Sequence, residues 1–90
     1  TTGNLNFAVT GAVSIDASGD ISLDADGGDV FFKDSGTTYG SLTNTSGNLI
    51  IKSGTSTMLT GSGTNATFNN NLTVENDLQV DGQTEYLSCR

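Results

Sequence analysis

Apolar residues in this chain come in very short alternating runs, each closed by a turn of Gly, Ser, Asn or Asp. Leu5, Phe7 and Val9 form one run, Val13, Ile15 and Ala17 the next, then Ile21, Leu23 and Ala25, then Val30 and Phe32. Between them stand Thr10-Gly11, Ser18-Gly19-Asp20 and Asp26-Gly27-Gly28-Asp29. A period of two is the mark of a strand with one buried face. The steps from Leu5 to Val13 and from Val13 to Ile21 are eight residues each, and Ile21 to Val30 is nine. At that spacing only strands of four or five residues fit between the turns.

The middle of the chain carries the same theme at a wider pitch. In DVFFKDSGTTYGSLTNTSGNLIIKSG, runs at Val30–Phe32, Tyr39–Leu42 and Leu49–Ile51 are parted by Asp34-Ser35-Gly36, by Asn44, Ser46 and Gly47, and by Ser53-Gly54. Met58 and Leu59 precede Gly61-Ser62-Gly63, and Ala66 and Phe68 lead into Asn69-Asn70-Asn71. The pitch then tightens to six in Leu72-x-Val74 and Leu78-x-Val80. No stretch repeats apolar residues at helical spacing and no capping box opens one, so no helix is expected. Phe31 and Ile50 interrupt strict alternation, which suggests strands covered on both faces.

Units of six to nine residues suit a coiled arrangement in which each makes one side or one rung and the next stacks on it. The lack of any Pro fits uninterrupted pairing, and the twelve Gly fit tight corners. Residues 1–90 read as a single repetitive β segment. It comprises eight- and nine-residue repeats over 1–34, wider repeats over 35–69, six-residue repeats over 70–82 and a non-repeat end over 83–90. With Thr1 first and no initiator Met, a segment of a longer chain is expected.

Only 33% of the residues are hydrophobic, and Leu, Ile, Val and Phe together number 21 of 90. That barely exceeds the roughly 20% below which a chain remains disordered. So few large side chains do not repay the ordering of a whole chain unless other copies add burial. An interior shared between copies is therefore expected, formed by Leu5, Phe7, Val13, Ile15, Ile21, Leu23, Val30, Phe32, Leu49, Ile51, Phe68, Leu72, Val74, Leu78 and Val80.

The net charge is −7, with Lys33, Lys52 and Arg90 the only basic residues. Phosphate backbones and anionic membrane surfaces both demand clustered Lys and Arg, so neither nucleic-acid binding nor membrane association is expected. No apolar run approaches the ~18 residues of a membrane span. The single cysteine, Cys89, has no partner within the chain.

Candidate sites are few. Asp16, Asp20, Asp24, Asp26 and Asp29 offer oxygen ligands to calcium, but they lack the spacing and closing Glu of a calcium loop, and solvated turns are expected instead. The chain has no His and no Trp, so neither triad chemistry nor an aromatic sugar groove is visible; no catalytic, cofactor or metal residue is assigned. Asn44, Asn65 and Asn71 open glycosylation-type triplets of the sort a Thr- and Asn-rich chain produces by chance. Gly61-Ser62-Gly63 has no Lys or helix after it and is not a phosphate loop. Tyr39, Tyr86 and Phe31 either face outward toward a receptor or pack between chains.

The texture GDISLDADGGDVFFKDSGTTYGSLTNTSGNLIIKSGTSTMLT, followed by NATFNNNLTVENDLQVDG, resembles the repetitive tail-fibre and related virion structural proteins of tailed bacteriophages, especially those of marine and cyanobacterial phages. The likeness covers roughly residues 11 to 82 and rests on xIxLDAxG, FKDSGTTYGSL, GNLxIKSGT and NLTVxxDLxVxG. It implies a homotrimeric, elongated all-β shaft, either β-helical or intertwined. It also implies a non-enzymatic role as a shaft or connector on the virion, outside the cell, with other tail or baseplate proteins as neighbours and a host receptor met through another domain. The ending EYLSCR departs from the repeat. A receptor-binding module, or a bacterial adhesin or β-solenoid filament, are the alternative readings.

Overall fold

Two-residue turns decide how the middle of the chain folds. The computed structural model describes residues 3–82. In it, five strands follow one another: β1 (Asp29–Asp34), β2 (Thr37–Thr45), β3 (Asn48–Ser53), β4 (Ser56–Ser62) and β5 (Asn65–Phe68). Each pairs antiparallel with the next, giving one open sheet in the order β1-β2-β3-β4-β5. No helix occurs among the described residues, as the sequence led us to expect.

The first two turns place both central residues at positive φ: Ser35 (51°) with Gly36 (83°), and Ser46 (52°) with Gly47 (84°). The next two place Gly first, Gly54 at 62° and Gly63 at 60°. These are the I′ and II′ geometries whose twist matches that of the flanking strands, so each strand turns straight back onto its predecessor. Over residues 29–68 the expected stacked rungs therefore give way to a meander of hairpins. At the second turn the Gly47 amide also donates to Asn44 Oδ1 at 2.9 Å. Serine in the left-handed region is less comfortable than asparagine. Ser46→Asn is expected to stabilise the sheet by a few tenths to about 1 kcal/mol, read as a higher thermal midpoint. An unchanged or lower midpoint would show that the turn does not limit stability.

A recurrence of 19 residues emerges from the pairing. Asp29–Thr43 folds onto itself as Asn48–Ser62 does, with Lys33 and Lys52 in equivalent places. Both hairpins carry a β-bulge at the same point: the register shifts between Phe32 and Lys33 opposite β2, and between Ile51 and Lys52 opposite β4. The extra residue is Tyr39 in one and Met58 in the other. Both carbonyls are used, Tyr39 accepting from the Gly54 amide at 2.8 Å and Met58 from the Asn69 amide at 2.9 Å.

On either side of the sheet, residues 3–28 and 69–82 contain no strand. Bends fall at Gly3, Thr10-Gly11 and Ser18-Gly19, with a turn at Asp26-Gly27, so the glycines every eight residues do mark corners. Later bends lie at Asn69-Asn70 and Glu75-Asn76. The turn into β1 is closed by the Gly28 amide donating to the Ala25 carbonyl at 2.8 Å. The segments between corners pair with no strand among the described residues. The described residues measure 54 × 30 × 27 Å.

Candidate assembly surface

The sheet has two chemically different faces, and register assigns every side chain to one of them. Val30 lies opposite Leu42, Leu42 opposite Ile51, Ile51 opposite Leu59 and Leu59 opposite Phe68. One apolar row thus crosses all five strands, with neighbours at the ~5 Å spacing of cross-strand pairs. Phe32 and Leu49 share this face by alternation. Tyr39 would fall on the opposite face if β2 alternated strictly. The bulge instead carries it to this one, where its ring lies 6.3 Å from that of Phe32 at an interplanar angle of 35°.

The opposite face is polar and largely covered from within. Its central row runs Asp29, Thr43, Ile50, Thr60, Thr67, with a hydrogen bond from the Thr43 hydroxyl to the Asp29 carboxylate. The Thr60 hydroxyl donates to Asn69 Oδ1 at 3.0 Å. A second row runs Phe31, Ser41, Lys52, Thr57. Ile50, at 7% exposure, is the buried apolar residue of the described chain, and Ser41 is buried between Phe31 and Lys52. Ile50 is thus buried within a single chain, with Thr43 and Thr60 as its cross-strand partners. Phe31 stays 56% exposed, with Lys33 Nζ 5.9 Å from its ring centroid.

No other apolar side chain among the described residues is buried. Leu5, Phe7, Ile15 and Leu23 are each more than two-thirds exposed, and Leu72, Val74, Leu78 and Val80 are also open. The interior expected from the sequence is therefore not formed among the described residues of a single chain. A shallow depression of about 290 Å³ lies on the apolar face beside Val30, Leu42 and Leu49, and another of about 470 Å³ lies among Phe7, Val9, Val13 and Ile15. Folded monomers of 9.2 kDa expose about 4,900 Å². This chain exposes 8585 Å², an excess of roughly 3,700 Å² over that expectation.

The polar candidates do not converge. Asp16, Asp20, Asp24 and Asp26 are strung along the segment before the sheet, and Asp29 is engaged by Thr43. No group of three or more Asp, Glu, His or Cys within reach of one ion occurs among the described residues. Asn44 serves its turn, Asn65 opens β5 and Asn71 lies beyond the sheet. Tyr86 and Cys89 lie outside the described residues. No family model, curated protein or solved structure matches this chain.

Proposed function

We propose that this chain is a non-catalytic structural segment, the shaft or connector of a phage tail fibre, whose fold is completed by two further copies of itself. The observation that carries the reading is the excess of roughly 3,700 Å² of exposed surface, rich in apolar side chains set at strand spacing. A standard interface removes only about 800 Å² per partner, so an excess of this size supports an extensive association over a single standard contact. Three as the number of copies, and a virion tail as the setting, come from the resemblance of the repeats.

In such a shaft the cornered segments 3–28 and 69–82 pair with equivalent segments of the other copies as β-helical or intertwined rungs. Tail or baseplate proteins lie beyond its ends, and the host receptor is met through another domain. The role is mechanical: ladders between chains resist bending and hold the recognition tip away from the particle. It uses no cofactor, metal, nucleic acid or membrane insertion.

Light scattering on the purified 90-residue chain tests this. A stable species of about 28 kDa, three times 9.2 kDa, is expected. A folded 9.2 kDa monomer would overturn the assembly, and species that lengthen with concentration would favour a polymerising filament.

A further inference from the structure

Resting on that assembly reading, we propose that the sheet over residues 29–68 turns its Val30–Leu42–Ile51–Leu59–Phe68 face toward a second copy of this chain and its threonine face toward solvent. Three observations choose the face. The five-residue row is apolar on every strand and unbroken from one edge of the sheet to the other. The bulge in the first hairpin moves Tyr39 onto it, and an equivalent bulge falls at Met58 in the second. Asp29, Lys33 and Lys52 project from the opposite face by alternation, and only Asp34, at a hairpin end, carries charge on this one.

Charge also identifies the occupant. The chain carries −7, so two copies repel wherever their acidic segments meet, and a self-interface is favoured on the surface nearly free of charge. On the opposite face Ile50 and Ser41 are already buried within one chain, and the large apolar side chain left exposed there, Phe31, lies beside Lys33. The excess exposed area is several times what one standard partner removes, and exposed apolar side chains occur on both sides of the sheet as well as within it. A second copy offers the same sequence of segments and so matches the chain along its length. A small ligand in the depression by Val30 would leave most of that surface open.

The test is disulfide trapping in the full chain with Cys89→Ser as parent, because adjacent residues of one strand point to opposite faces. Leu42→Cys, Ile51→Cys and Leu59→Cys probe the apolar face, and Thr43→Cys and Thr60→Cys the other. Each variant is oxidised in dilute solution and run on a non-reducing denaturing gel, with light scattering of the parent alongside. Because a disulfide forms only where Cβ atoms approach to about 4 Å, at least one apolar-face variant should give covalent dimer in about tenfold or greater excess over both threonine-face variants. An assembled parent whose threonine-face variants cross-link as well or better overturns the face assignment and leaves the assembly standing. An assembled parent with no cross-link at positions 42, 51 or 59 does the same. A monomeric parent overturns the assembly and this inference with it.

Discussion

The Ile50→Asp substitution is expected to abolish the sheet. Ile50 sits in the middle of the middle strand, 7% exposed, between Thr43 and Thr60. Removing its buried hydrocarbon forfeits about 1.5–3 kcal/mol. Placing an unpaired carboxylate there adds a further cost of several kcal/mol, or forces the group to take up a proton. The forty residues from Asp29 to Phe68, at the usual stability per residue, hold only about 2–6 kcal/mol in reserve. The loss exceeds the reserve. Far-ultraviolet circular dichroism of the purified variant should show no β signal and no cooperative melting. Phe31→Asp, on the same face but 56% exposed and beside Lys33, should keep both. Cooperative melting of the Ile50 variant near the parent midpoint would mean that this contact does not hold the sheet together.

The strands and turns of the middle region were legible because their signals are local. Val30–Phe32, Tyr39–Leu42 and Leu49–Ile51 all fall inside observed strands, and Ser35-Gly36, Ser46-Gly47 and Gly54 are the observed turns. What alternation does not encode is how a strand meets its neighbour. The turn angles do that. Two residues at positive φ fold β2 back onto β1 at once, which replaces a rung by a hairpin.

The bulges were invisible for a related reason. A single inserted residue shifts the period without changing composition, so Tyr39 reads as a neighbour of Ser41 but packs beside Phe32. The 19-residue recurrence, which Lys33 and Lys52 mark, was hidden because Gly40-Ser41-Leu42 in one hairpin answers to Leu59-Thr60-Gly61 in the other. Ile50, read as a sign of strands covered from both sides, is buried within one chain, while Phe31, read the same way, stays 56% exposed. Alternation supplied Val30, Ile51 and Phe68 of the apolar row but left out Leu42 and Leu59, because its continuity across five strands depends on register, which only the pairing reveals.

That exchange of Gly and Leu leads to the second large effect: Gly40→Val is expected to destabilise the sheet although valine is the better strand former. Propensity alone favours the change by up to about 1 kcal/mol. Against it stands the backbone of the next strand. A Cβ on Gly40 would lie 3.0 Å from the Lys52 carbonyl oxygen, tighter than nearly all real contacts. The Lys52 carbonyl has little room to retreat, because Ser41 pairs with Lys52, Gly40 with Ser53, and the Gly54 amide donates to the Tyr39 carbonyl at 2.8 Å. Forcing an oversized group into a packed place costs about 1–3 kcal/mol, and the two further methyls of valine add to the crowding, so the clash outweighs the propensity gain. Urea denaturation should show a net loss of about 1–2 kcal/mol at an unchanged slope. The equivalent place in the second hairpin already holds Leu59, which faces Phe68 on the short strand β5. A Leu59→Val change there removes one methylene and should cost about 1 kcal/mol or less. If Gly40→Val instead raised the midpoint, β3 would have to shift away from β2, and the close approach that now excludes a side chain at position 40 would not be a fixed feature of the sheet.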